Sequence, residues 1–439
     1  MKKAGWFARR TTRYCKRTFE AHFEAGSFDP AFFLPTVCTA ADTAEDKTMT
    51  DTLRHSLTRP KTSAGKAAKR LLLVTESLPT SADDFRGAWI LDFVEALRRR
   101  GVDTEVFTSA VQPHDNSIDL PVFGFTCRTP GVISGDATAA SLTSYFRIKE
   151  CLQTGSRTLT AHLQEHRYDH VLALGAFPAG WITAGATEVN NIPFAVWLLG
   201  PDINIWARKF LYGRMVRRTL RRAKALFADG DKLCEITTGI SDRECHFMPT
   251  LRRFHYKMLP IPREEVFLFV GALETHKGIF DLLKAFARIE QDIWDYRLLV
   301  VGNGSKADKV QGSINSLKLR GKVHLLGNLS NEELINYLQR ARALIIPSHT
   351  DSIPLVFGEA LQTATPMVVT DAGDLGSLVH DNKLGFVARR KSPASLADAM
   401  VRMIVSDLDI RPNAKHLIER LSPDNAAQTF LNNALSCDD

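Results

Sequence analysis

The sequence predicts an α/β fold of two doubly wound, Rossmann-like domains facing a cleft, and three observations predict it. From Arg70 onward, apolar runs short enough to be buried strands alternate with amphipathic helical stretches. The alternation lapses once, around LRRFHYKMLPIPREE, where Pro260 and Pro262 stiffen the chain, and then resumes. At 439 residues the chain also exceeds what one hydrophobic core usually organises.

The elements follow in order. Residues 1–69 are basic, then rich in Ala, Thr and Asp, with no sustained period, and are expected to form a poorly ordered extension; Met49 is a plausible alternative start within it. RLLLVTES reads as a buried strand. GAWILDFVEALRRRG reads as a helix with Trp89, Phe93, Val94 and Leu97 on one face and Gly101 as its stop. TEVFTS is the next strand, so strand, helix and strand form a parallel unit. HVLALG, a helix from Pro178, PFAVWLLG, a helix through Leu220, and ALFADG repeat that grammar and complete a first domain over 70–258. After the connector, VFLFVGAL, GIFDLLKAFARI, YRLLVVGNG, KVHLLG, NEELINYLQRA, ALIIPS, VFGEALQTA and PMVVTDA spell a second domain over 263–410. A helical tail over 411–439 follows. Ligands of such folds bind outside the carboxyl ends of the strands, here in the cleft between the two sheets.

Charge excludes one class of partner. The net charge is +7, but residues 1–69 hold thirteen basic against seven acidic residues, which leaves the rest close to neutral, so the body is no polyanion binder and no nucleic acid is expected. Seven cysteines, odd in number and scattered, argue for reduced thiols in a cytoplasmic protein and against a zinc site. No run is long and apolar enough to span a bilayer.

The chemistry gathers in DSIPLVFGEA. Asp351 falls in the loop after the ALIIPS strand, and Glu359 about two turns later inside a helix whose start, with Phe357 and Gly358, offers backbone N–H groups to a phosphate. As ordinary residues they would be an N-cap and a solvated helix position. As carboxylate acceptors they suit sugar hydroxyls. Lys277, before Gly278, can place an ammonium on a phosphate oxygen. Gly302 and Gly304 end a strand where backbone must turn sharply or approach a ligand, and Gly87 opens the first long helix with its amides free. Between Arg208 and Lys224, eight basic residues occur with no acid, while Leu211, Met215, Leu220 and Ala223 share an apolar stripe. Such a helix either packs on the first sheet with a solvated basic face or rests on an anionic membrane surface.

In PSHTDSIPLVFGEAL, TPMVVTDAGDLGSLVHDNKLGFV and FVGALETHKGIFDLLKAF, the chain resembles the retaining glycosyltransferases of family 4 (glycosyl transferases group 1), which have the GT-B fold. The resemblance spans about Arg70 to Met400, and implies that the first domain receives the acceptor and that the tail over 411–439 packs back on that domain. It implies that Glu359 grips the ribose of a nucleotide sugar, that Asp351 contacts the transferred hexose, and that Lys277 binds the donor pyrophosphate. TESLPTSADDFRG and PFAVWLLGPDINIW resemble the family's N-terminal loop and Gly-x-Asp turn, Gly200 to Asp202. Two positions depart from the pattern: Ala272 stands where an arginine is usual and Leu199 where a histidine is usual, and no general base is evident, His170 being directed elsewhere by its strand. The implied activity is metal-independent, retaining transfer from a nucleotide sugar to a glycan or lipid-linked acceptor, with no resident cofactor or metal. The two departures keep other outcomes open: a catalytically silent nucleotide- or partner-binding module, or a phosphorylase or epimerase on the same fold.

Overall fold

The computed structural model describes residues 68–76, 78–79, 87–109, 120–125, 142–254, 256 and 262–435, with side chains in the helix from Leu142 described from Arg147 on. The expected basic extension up to residue 67, Met49, most of the loop before Gly87, and Pro260 lie outside the described residues.

Two wholly parallel sheets carry the fold. The first is built from β1 (Lys69–Thr75), α1 (Ala88–Arg98), β2 (Val102–Thr108), β3 (Val122–Gly124), α2 (Leu142–Glu165), β4 (His170–Leu174), α3 (Ala179–Asn190), β5 (Phe194–Leu198), a π-turn (Asp202–Trp206), α4 (Phe210–Arg222), β6 (Ala225–Ala228), α5 (Asp231–Ser241) and β7 (Cys245–Phe247). Its strand order is β3-β2-β1-β4-β5-β6-β7. The second comprises β8 (Glu264–Val270), α6 (Ile279–Ile289), β9 (Arg297–Val301), α7 (Ala307–Ser316), β10 (Val323–Gly327), α8 (Asn331–Arg340), β11 (Ala341–Ile346), α9 (Leu355–Gln362), β12 (Met367–Thr370), α10 (Leu375–Asp381), β13 (Gly385–Ala388) and α11 (Pro393–Val405). Its order is β10-β9-β8-β11-β12-β13. Both orders reverse direction beside the first strand of the half, which makes each sheet doubly wound and opens a crevice at the reversal. The two Rossmann-like halves form a GT-B cleft.

Runs such as LLLV, VLAL and FAVWL are buried on both faces, as parallel strands sheathed by helices must be. Trp197 anchors the first half: its ring lies 4.7 Å from Trp89 and 4.9 Å from Phe93, and its indole N–H donates to the Met248 carbonyl at 2.9 Å. Two further helices, α12 (Arg411–Arg420) and α13 (Pro423–Ala434), follow the second sheet. Phe430 of α13 is fully buried beside Phe93 and Phe227, so the end of the sequence supplies part of the first half's core.

The basic helix departs from one of its two expectations. Leu220 and Ala223 of the apolar stripe are fully buried in the first half's core and Met215 packs against it, so these three face the protein and, of the stripe, Leu211 alone stays open to solvent. What faces outward is Arg214, Arg217, Arg218 and Arg221, preceded by Phe210, 79% exposed, and Leu211, 46% exposed. Thiols also need one correction. Cys234 and Cys245 are free, whereas Cys151 is disulfide-bonded. Among the described residues no helix is long and apolar enough to cross a membrane.

Candidate functional site

The carboxyl edge of the second sheet is organised by loops that press on one another. β8 ends at Val270, and the chain reaches Lys277 through a single 3₁₀ turn that stops at Gly278, whose φ of 74° is left-handed. A Cβ there would lie 1.9 Å from the Pro347 carbonyl oxygen, so glycine is required for the β8 loop to meet the end of β11. That contact places Lys277 against Asp351. The ammonium donates to both Asp351 carboxylate oxygens at 2.8 Å, and Ser348 adds a hydroxyl donor at 2.6 Å. Both side chains remain partly exposed, 26% for Lys277 and 18% for Asp351, so the pair is organised yet reachable. Beside it, His349 pairs with Asp281 at 2.8 Å.

Glu359 lies one turn into α9 and is buried. Its partner is one that sequence reasoning missed: Arg252, on the connector between the sheets, donates through Nε to Oε1 at 2.8 Å, and its Nη2 lies 2.7 Å from the same oxygen as an ion pair. Burial pushes the Glu359 carboxyl above its ordinary range, and the Arg252 charge and hydrogen bond pull it back. Phe357 is fully buried, so its side chain is committed to the core. Gly358 admits the connector: a Cβ would come within 2.2 Å of Leu251. Gly302 and Gly304 press against the β8 loop, where a Cβ would lie 2.1 Å from the Gly271 oxygen and 2.6 Å from the Leu273 nitrogen. They let two site loops pack together. Gly87 caps α1 with a φ of 73°, on the first half. Ala272, exposed on the β8 loop, brings no charge there.

Across the cleft, the first half presents acids. Asp202 accepts from the Ala176 and Ile203 amides at 3.0 and 3.1 Å, which fixes the turn after β5. Asp229, at the carboxyl end of β6, is buried with Oδ1 unpartnered among the described residues, and its carboxyl is pushed well above the ordinary carboxylate range by desolvation, then by Asp202, Asp351 and Asp374. Asp374, which precedes α10, accepts from the Lys232 amide at 3.2 Å, and Lys232 reaches the Gly373 carbonyl, so the start of α5 is clasped to the second half. The signal for these residues was an acid at a strand end, in FADGDK and TDAGDL. Leu199 is half-buried, and His170 opens β4 at the opposite end of the sheet, buried against Phe430. Among the described residues no group of three or more potential ligands could hold a metal ion.

Comparison with known proteins agrees with this layout. Residues 253–420 match the family described as glycosyl transferases group 1. The chain is 33% identical over 358 residues to the D-inositol 3-phosphate glycosyltransferase of Corynebacterium diphtheriae, covering 73% of this chain and 81% of that one. Other relatives are matched over less of their length: 61% of the glycosyltransferase TuaC of Bacillus subtilis at 26% identity, and 39% of the glycogen synthase of Mycobacterium tuberculosis at 29%, which take in 53% and 37% of this chain. The chain spans less than two thirds of each of those two. Among solved structures, HepE of Anabaena in complex with UDP-glucose superposes with a TM-score of 0.65 at 16% identity, over 84% of this chain and all of that one. The sucrose-phosphate synthase of Thermosynechococcus elongatus gives 0.65 at 17%, over 83% and 98%. At such identities the two superpositions speak to the fold. With its two doubly wound sheets and the match across the second of them, the chain belongs to the glycosyl transferases group 1 family, with GT-B architecture.

Proposed function

We propose that the chain transfers a hexose from a nucleoside-diphosphate sugar to a glycan or lipid-linked acceptor, with the anomeric configuration retained. The observation that carries this is the Lys277–Asp351 pair at the cleft edge, 2.8 Å on both oxygens. It sets a cation and an acceptor side by side where a donor's phosphate and sugar would meet. On donor binding, Lys277 would move its charge toward the diphosphate and Asp351 would accept from a sugar hydroxyl, while Glu359 takes the ribose. The bond from C1 to the diphosphate oxygen breaks and a bond from C1 to the acceptor oxygen forms on the same face. The acceptor's proton passes to the departing diphosphate, so no general base is needed where Leu199 stands. Lys277 supplies the positive charge, and transfer is metal-independent.

A lipid-linked acceptor at an anionic membrane surface is favoured by α4. Its outward arginines follow Phe210 and Leu211, and a cavity of ≈ 220 Å³ walled by Ile148, Leu152, Trp181, Leu211, Tyr212 and Met215 lies against the same helix. Cationic side chains around exposed apolar ones are what an anionic lipid surface attracts.

Transfer is tested by incubating the full chain with UDP-, GDP- and ADP-sugars and a lipid extract, measuring nucleoside diphosphate release and assigning the product anomer by NMR. Acceptor-dependent release with an unchanged anomer is expected. Binding without turnover would identify a silent module. Dependence on free phosphate, or an isomerised sugar made without acceptor, would identify a phosphorylase or an epimerase.

A further inference from the structure

We infer that Arg252 is a positioning residue for nucleotide recognition: it holds Glu359 by one carboxylate oxygen and leaves the other to a ribose hydroxyl. This rests on the donor-site reading above and adds a residue from outside the second sheet. The contact is one-sided. Nε donates to Oε1 at 2.8 Å and Nη2 makes its ion-pair contact with the same oxygen at 2.7 Å, whereas a guanidinium laid across both oxygens would occupy the whole carboxylate. Oε2 accepts nothing from the described residues.

The guanidinium is itself fixed from three sides. Nη1 donates to Asn331 Oδ1 at 3.0 Å, the group lies 4.5 Å over the Phe254 ring, and its side chain is 5% exposed. The backbone is tied as well. Gln362 donates to the Arg252 carbonyl at 2.8 Å and accepts from the Phe254 amide at 2.9 Å, while Leu251 seats on Gly358. The connector is thus stitched to the helix that carries Glu359, and the carboxylate it presents has one fixed direction.

Charge makes the same case. A carboxyl buried alone takes up a proton and loses half its value as an acceptor. Arg252 is the one charged side chain, among the described residues, that acts on Glu359, and it favours the ionised form. Removing it frees the carboxyl to follow burial, upward. Nucleotide affinity in such a variant then rises with pH, because the ionised form is recovered only at higher pH.

The test is calorimetric titration of the full chain with UDP, GDP and ADP at about pH 6 and about pH 8. For the nucleotide that binds the natural chain, Arg252→Met is expected to weaken affinity roughly tenfold or more, the size of a lost hydrogen bond to a charged group, and to make it tighter at the higher pH. Arg252→Lys should fall between. Because a buried carboxylate stripped of its partner can unfold a protein, the pair Glu359→Gln and Glu359→Gln/Arg252→Met supplies a folded comparison without that charge: if Arg252 acts through Glu359, the two bind equally. A further loss on adding Arg252→Met to Glu359→Gln, or an Arg252→Met chain that binds like the natural one at both pH values, overturns the inference alone. A natural chain that binds none of the three nucleotides overturns the donor site and this inference together.

Discussion

The two sides of the cleft use acids in opposite ways. On the second half, Asp351 and Glu359 each face a cation, Lys277 and Arg252. On the first half, Asp202 and Glu76 are spent on backbone amides, Ala176 and Ile203 for the one and Ala179 for the other, and Asp229 has no partner for Oδ1 among the described residues. A carboxylate that caps backbone is fixed for good, because releasing it strands buried N–H groups. A carboxylate paired with a side-chain cation can exchange that partner for a ligand, as proposed for Asp351, or keep it and offer a second oxygen, as proposed for Glu359. The difference teaches where ligand exchange is built in: at the edge of the second sheet, with the first half supplying a fixed wall.

The comparison can be broken or sharpened from its largest consequence downward. Phe430→Ala removes a fully buried ring from the first half's core, and should cost about 4 kcal/mol in urea unfolding, while the surviving folded chain still binds nucleotide. Loss of nucleotide binding in proportion to stability would merge the two halves into one unit. Asp351→Asn keeps the shape of the pair but removes its charge; turnover of the donor is expected to drop by roughly a hundredfold, about 3 kcal/mol of barrier, with nucleoside diphosphate affinity little changed. An equal loss in affinity would move Asp351 from the sugar to the nucleotide.

His170 offers a smaller and purely structural readout in the first half. Burial, then Lys224 and Lys69, push it down to about 3 from 6.5. The unfolded chain therefore binds the extra proton first, so stability is full above 6.5 and falls as pH drops toward 3. Between about pH 7.5 and about pH 5 the loss from this one ring is about 2 kcal/mol, and a His170→Phe chain should lack that component in denaturant curves at the two pH values. The smallest effect belongs to the outer face of α4. Arg217→Gln and Arg218→Gln should each weaken sedimentation with vesicles rich in anionic lipid by about 1 kcal/mol, with little change on neutral vesicles; no difference between the two lipids would remove the membrane from the proposal.

Much of this was legible from residue order, and the misses have physical causes. Strands such as LLLV and FAVWL announce themselves because both faces are buried. Asp351 was legible as a loop residue after β11 and Lys277 as the residue before the glycine that starts α6, both on the side of the sheet where parallel strands present ligands. Helix α7, between β9 and β10, was not, since ADKVQGSINS commits only Val310 and Ile314 to the core. The stripe on α4 left two readings open, because periodicity reports an apolar face without saying what covers it. Gly302, Gly304 and Gly358 marked close approaches, and the structure shows what they approach: the β8 loop backbone for the first two and the Leu251 side chain of the connector for the third. Arg252 was read as part of a linker. Its contact with Glu359 spans 107 positions and depends on the path the connector takes across α9, which no local pattern encodes.

The central claim is that the second sheet's edge holds a nucleoside-diphosphate sugar by Glu359, Asp351 and Lys277. It is tested most directly by a thermal-shift series of UDP, GDP and ADP and their sugars against the natural chain and Glu359→Ala. Saturating ligand at about 100 times its Kd should stabilise the natural chain by about 2.7 kcal/mol. The expected result is a shift with one nucleotide class that is largely lost in the variant; equal shifts in both chains would contradict it.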